Sequence, residues 1–301
     1  MIIPEYLHPG DKVAIISPAT EIKEEYIDGA EAYLSARGYN AVVMPHARGP
    51  RHGTYAASDA ERLADLYAAL TDPDVRLIFC ARGGYGCVHL LRHIPVSLIS
   101  ANPKWLAGFS DISALHALWQ RAGVVSLHCS MAKQLTLYPD SAVTESTMGI
   151  LEGSLCTAEN PYHVGRLTFT PAPDGALPLS AGGNLAVLNG LAATEYDILS
   201  PDRLKDRVLF LEDVGEKIYQ VERMLTRLYL SGALSSARGL VFGQFTDYSG
   251  DRNYSDMEQM IESRLAEWQV TTPYITGAPF GHTDGNMPLP LGVGVAGLAA
   301  D

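Results

Sequence analysis

From residue 12 to residue 123 the chain alternates short apolar runs with stretches of helical period. KVAIISPA (12–19) is a β-branched run, and EEYIDGAEAYLSARG (24–38) then places Tyr26, Ile27, Ala30, Tyr33 and Leu34 on one helical face before Gly38 stops it. NAVVMP reads as a second strand. SDAERLADLYAALTDPDV starts at a Ser-Asp cap, aligns Leu63, Leu66, Tyr67 and Leu70, and ends near Pro73. The strand VRLIFCA follows, then the turn RGGYG, a predicted helix carrying Val88, Leu90 and Leu91, the strand WLAGFS, and a helix from Asp111. Strands separated by helices of this length predict a parallel sheet covered on both faces, and their continuous apolar character agrees with burial on both sides.

The stretch 155–178 breaks the pattern with four prolines and no helical period, so the domain crossing is expected there. Two domains are predicted, 1–160 and 161–301. The second half continues with LSAGGNLAVLNGLAA, a strand RVLFLEDV, a helix through Val221, Met224, Leu225 and Leu228, and a strand GLVFGQF. It closes on YITGAPFGHTDGNMPLPLGVGVAGLAAD, whose glycines and prolines predict short strands and turns.

A chain of 301 residues favours two folding units, and 47% hydrophobic against 19% charged residues supplies ample core. The net charge of -12 repels phosphate backbones and anionic lipid, which argues against nucleic acid and membrane partners. The first twenty residues show no basic segment before an apolar one, so neither a signal peptide nor a membrane span is expected, and the expected location is the cytoplasm. Cys80, Cys87, Cys129 and Cys156 lack metal or redox spacing and are read as buried thiols; Cys87, after the glycine-rich turn, could alternatively be reactive.

Chemistry converges on the corner GFSDI. Ser110 ends a strand and opens a helix, where open α/β sheets bind ligands. Taken alone, the motif fits a helix N-cap better than a nucleophile elbow, because it keeps the glycine two before the serine but lacks the one two after. A nucleophilic serine needs a base. Eight of the nine histidines read as surface or packing residues, His116 among them, two turns into the helix and facing away from the corner. His282 stands in a stiff Gly/Pro loop and is the candidate base. Glu212, still within strand pattern, is the candidate carboxylate to orient it, whereas Asp213 and Glu216 read as solvated loop acids. The RGGYG turn fails as a dinucleotide fingerprint but suits an oxyanion hole, with Gly84 and the Asp111 N–H as donors and Arg82, beside Gly83, as a substrate carboxylate clamp.

Together these segments resemble the LD-carboxypeptidase family, the serine peptidases that include muramoyl-tetrapeptide carboxypeptidases and microcin C immunity proteins. The resemblance rests on VAIISPA, ARGGYG, GFSDISALH, GGNLAVL, LFLEDVGEKIYQVERML, GHTDGNMPLPLG and the terminal AD, and spans nearly the whole chain. It implies a Ser-Glu-His triad on Ser110, Glu212 and His282, a flavodoxin-like N-terminal domain with a smaller β-rich C-terminal domain, and a homodimer. HCSM at 128–131 departs from the HGPM that relatives often carry. The expectation is metal-independent hydrolysis without a cofactor, on a small peptide substrate, a murein tetrapeptide that loses its terminal D-alanine. The alternatives are hydrolysis of an aminoacyl-nucleotide antibiotic and, from another class, a non-catalytic small-ligand binder in which Ser110 is only a cap.

Overall fold

The structure, a computed structural model, describes residues 1–49, 51–164, 167 and 175–297. It divides into two compact units, Met1–Asn160 with Met287–Gly292, and Pro161–Asn286 with Val293–Asp301.

The first unit is built from β1 (Lys12–Ile16), α1 (Glu24–Ala36), β2 (Asn40–Val43), α2 (Asp59–Thr71), β3 (Val75–Cys80), α3 (Val96–Ala101), β4 (Trp105–Gly108), α4 (Ser113–Arg121), β5 (Ser126–His128), α5 (Ala132–Leu137) and α6 (Ala142–Leu151). The parallel strands run in the order β5-β4-β3-β1-β2, with an antiparallel strand Leu289–Leu291 added beside β5. This is the flavodoxin-like order, with its reversal between β1 and β3. Strands β3 and β4 are buried almost throughout, which explains their lack of alternation.

Each helix folds where its polar ends allow. In α2 the Ser58 hydroxyl accepts from Glu61 N–H and the Glu61 carboxylate accepts from Ser58 N–H, a reciprocal cap that fixes the helix start. Helix α1 buries Ile27, Ala30 and Leu34 of the predicted face, with Tyr26 and Tyr33 at its half-buried margins. The helix predicted after RGGYG is instead two 3-10 turns, Cys87–His89 and Leu91–His93. Pro95 lacks an amide to continue the ladder and restricts the residue before it, so regular helix begins only at Val96.

The second unit carries β6 (Tyr162–His163), β7 (Leu179–Asn184), α7 (Leu185–Asn189), α8 (Pro201–Leu204), β8 (Arg207–Val214), α9 (Ile218–Leu230), α10 (Ala233–Ser236), β9 (Gly239–Thr246), α11 (Met257–Glu267) and β10 (Tyr274–Ile275). Its main sheet is parallel, in the order β10-β9-β8-β7. Helix α9 buries Ile218, Val221, Met224, Leu225 and Leu228, the helical period of its sequence, and α11 adds a helix that the apolar pattern had not singled out. The chain ends with β11 (Leu289–Leu291) and β12 (Val295–Ala296), the latter parallel to β6.

A single crossing near residue 160 does not describe this path. β11 belongs to the first unit because its backbone pairs with Ser126, Leu127 and His128 of β5. Residues 165–166 and 168–174 of the predicted crossing, and the terminal Ala-Asp pair, lie outside the described residues. Among the described residues no helix is long and apolar enough to cross a membrane.

Candidate active site

Ser110 is not a helix cap. Its φ is 65°, in the left-handed region, and the residue at the capping position of the 3-10 turn Ser110–Ile112 is the extended Phe109. A residue with a Cβ pays about 1–2 kcal/mol to adopt that conformation. Strain of this kind at a strand-to-helix corner is the signature of an elbow that presents its side chain at the sheet edge. The cap reading therefore falls, for a geometric reason the residue types could not reveal.

The RGGYG turn lies against this corner. A Cβ on Gly83 would stand 2.9 Å from Ser110 Cβ, 3.0 Å from Phe109 O and 3.1 Å from Asp111 N, so only glycine allows so close an approach. Gly83 and Asp111, predicted from sequence, are thus brought together with Ser110. Gly84, at φ 105°, lies against Thr20 instead, where a Cβ would overlap the threonine hydroxyl. Arg82 is exposed and donates from Nη1 to Glu21 O at 2.7 Å. All four cysteines are buried, and burial raises the Cys87 thiol well above its ordinary range, which favours the packing reading over a reactive thiolate.

In the second unit Glu212 and His282 meet. His282 Nδ1 lies 2.7 Å from Glu212 Oε2, with Glu212 fully buried and the imidazole one-fifth exposed. The pairing of β8 with β9 shifts register between Leu211 and Asp213, and such irregularities re-aim side chains near functional sites. The loop carrying His282 docks on β9 through bonds that include Ala278 N–H to Phe242 O at 3.0 Å, Gln244 N–H to Phe280 O at 2.8 Å, Gln244 Nε2 to Ala278 O at 3.1 Å, and Thr246 Oγ1 to His282 O at 3.4 Å. Gly281, at φ 122°, sits where a Cβ would be 2.9 Å from Gln244 O and 3.3 Å from Glu212 Oε2. Its N–H donates to the fully buried Asn286 Oδ1 at 2.8 Å. The loop is stiff because its backbone is bonded on both sides of the histidine.

Two expectations need correction. His116 does not face away from the corner: its ring is fully buried, with Nε2 2.8 Å from Gly108 O and Nδ1 2.8 Å from Ser126 Oγ. The helix starts so close to the strand that a side chain six residues on still reaches back to the carbonyl two before Ser110. Burial lowers its pKa to about 3, so the ring is neutral and Nε2–H donates to the carbonyl. Asp213 is not a solvated loop acid either. It is 2% exposed and accepts from Asn184 Nδ2 at 3.1 Å, Ala186 N–H at 2.8 Å and Val214 N–H at 2.8 Å. Desolvation pushes it up to about 7, helped by the adjacent Glu212 and opposed by those bonds. The strand simply continues two residues past Glu212, to Val214.

A third feature was missed altogether. Arg62 lies on the apolar face of α2 with its side chain fully buried, where the periodic pattern had pointed to Leu63 and Tyr67. The only signal in the sequence was a cation at a position adjoining an apolar stripe.

The chain is similar to known proteins along most of its length. Residues 13–129 match the LD-carboxypeptidase N-terminal domain and residues 179–296 the LD-carboxypeptidase C-terminal domain. A murein tetrapeptide carboxypeptidase of Pseudomonas aeruginosa is 31% identical over 288 residues, covering 93% of this chain and 91% of the relative. A crystal structure of a muramoyltetrapeptide carboxypeptidase from Oxalobacter formigenes is similar at a TM-score of 0.74 and 29% identity, over 93% of this chain and 92% of the other. An MccF-like protein from Bacillus anthracis reaches 0.78 at 25% identity, over 97% and 94%. With both domain signatures present in order along most of its length, the chain belongs to the LD-carboxypeptidase family of peptidases.

Proposed function

We propose that this protein is a serine carboxypeptidase that removes the terminal D-alanine from murein tetrapeptides in the cytoplasm. The observation that carries the reading is the elbow at Ser110, where φ 65° at a strand-to-helix corner lined by the Gly83 turn fits a hydroxyl presented for chemistry. Ser110 Oγ attacks the scissile carbonyl. His282 Nε2 takes the proton and later returns it to the leaving amine. Glu212 holds the Nδ1–H tautomer and stabilises the imidazolium that forms. Glu212 is buried and hydrogen-bonded to the ring, which is the environment that keeps an orienting carboxylate in place. Backbone N–H groups of the 83–84 turn and of Asp111 receive the oxyanion, and loss of one such donor costs on the order of 10²–10³ in rate.

The murein substrate follows from the resemblance and from the Pseudomonas and Oxalobacter relatives. The resemblance to microcin C immunity proteins gives the other reading, hydrolysis of an aminoacyl-nucleotide amide by the same residues, and the MccF-like neighbour is similar over 97% of this chain. Purified protein is incubated with a murein tetrapeptide and, separately, with an aminoacyl sulfamoyl nucleoside, and D-alanine or nucleoside is followed. The expected result is D-alanine release, lost in Ser110→Ala with an unchanged melting curve. An acyl adduct on Ser110 is expected by mass spectrometry. Turnover that survives Ser110→Ala overturns the mechanism; nucleoside release without D-alanine overturns the substrate.

A further inference from the structure

The 83–87 turn is held by side chains that the mechanism above does not use. Thr20 N–H donates to Gly83 O at 3.2 Å, and Tyr85 N–H donates to Thr20 Oγ1 at 3.0 Å. Arg62 reaches it from α2. Its Nη1 donates to Gly86 O at 3.1 Å and also to Pro18 O, and its Nε donates to Ala57 O at 3.2 Å. The Tyr55 ring covers the guanidinium at 5.1 Å. From the elbow itself comes Asp111, 2% exposed, whose Oδ2 accepts from Cys87 N–H at 2.8 Å. A buried cation and a buried carboxylate are costly to keep; Arg62 is satisfied by the exposed Asp59 carboxylate, 2.5 Å from its Nη2, together with three backbone carbonyls that include Gly86 O, and Asp111 by the Cys87 N–H.

We propose that the buried Arg62 guanidinium and the Asp111 carboxylate are positioning residues that clamp the 83–87 turn against Ser110 and thereby set the geometry of the oxyanion donors. The inference rests on the serine mechanism proposed above for its catalytic consequence, though the clamp itself is a property of the first unit. Arg62 fixes the carbonyl side of the turn at Gly86, and Asp111 fixes the amide side at Cys87. The residue that closes the turn and the residue that follows the nucleophile are therefore tied directly. A shift of the elbow cannot occur without moving the donors with it. Arg rather than Lys is required because three carbonyls in different directions need the planar fork.

The test uses the full chain with Asp111→Ala, Asp111→Asn and Arg62→Lys. Amide hydrogen exchange is measured by mass spectrometry across 83–87, together with kcat and KM for D-alanine release and the melting curve. In Asp111→Ala the exchange of the turn is expected to rise about tenfold, and kcat to fall on the order of 10²-fold with KM within about threefold, the loss expected when an oxyanion donor is misplaced. Asp111→Asn is expected to restore both, because its amide oxygen still accepts from Cys87 N–H. Arg62→Lys is expected to raise exchange at the turn with a smaller loss of kcat. Unchanged exchange at 83–87 in Asp111→Ala, or a failure of Asn to rescue, overturns the clamp. Should Asp111→Ala not fold, the exchange of Arg62→Lys decides alone. A wild type that releases no D-alanine defeats the functional reading, while the exchange data still judge the clamp.

Discussion

The strain at Ser110 makes a quantitative prediction that separates backbone from hydroxyl. Ser110→Ala and Ser110→Gly both remove Oγ, so both are expected to abolish turnover. They differ only in what the backbone pays. Alanine keeps the Cβ that clashes in the left-handed region, at about 1–2 kcal/mol, whereas glycine does not. Glycine in turn gains freedom in the unfolded chain, which takes back about 0.5–1 kcal/mol. The net expectation is that Ser110→Gly is more stable than Ser110→Ala by up to about 1.5 kcal/mol, centred near about 0.8 kcal/mol. In a folding unit of this size that is about 1–4 °C in Tm. Urea unfolding and calorimetry of the two purified variants side by side give the difference directly, because any effect of losing the hydroxyl cancels. A Ser110→Gly protein less stable than Ser110→Ala would falsify the claim that the elbow stores backbone strain.

Three other expectations rest on separate observations. Gly83→Ala forces a Cβ to within 3.1 Å of Ser110 Cβ, Phe109 O and Asp111 N together, so kcat should drop by at least tenfold and stability by about 1–3 kcal/mol, as read from D-alanine release and urea unfolding. Glu212→Gln offers an amide that can favour the wrong His282 tautomer, and kcat should fall by on the order of 10³–10⁴ with the melting curve largely kept; a loss under tenfold would remove Glu212 from the mechanism. His116 has a folded pKa near 3 against an ordinary 6.5. Its contribution to stability is thus complete above pH 6.5 and is lost as pH falls toward 3, at about 1.4 kcal/mol per pH unit. Between pH 6.5 and 4.5 the stability of the wild type should therefore fall more steeply than that of His116→Gln by about that slope, and parallel curves would show that the ring is not held neutral.

Much of the candidate chemistry was legible in residue types. Ser110 stood at a strand-to-helix corner that keeps a glycine two residues before it, Glu212 was the first polar group after an apolar run, and His282 was isolated among glycines and prolines. Each of these is a local contradiction of pattern, which is what a site leaves in a sequence. The errors came where the local pattern was satisfied and tertiary packing set the outcome. His116 lay on a helix where a histidine is unremarkable, and only the closeness of α4 to β4 turned its ring to Gly108 O. Asp213 looked like the start of a loop until the pairing of β8 with β9 carried the strand to Val214. Arg62 had no pattern to mark it, since a cation next to an apolar stripe is ordinarily at the rim of a helix face.

The sequence by itself determined the strand and helix alternation of the first unit, because hydrophobic period and capping act within a few residues of one another. It also singled out Ser110, Glu212 and His282 as the candidates for chemistry. Only the tertiary structure decided that Ser110 adopts φ 65°, that β11 returns to the edge of the first sheet, and that Glu212 and His282, 70 residues apart, meet at 2.7 Å. Those outcomes depend on pairing and packing between distant segments, whose free energy is a property of the assembled sheet and is written in no single stretch of chain.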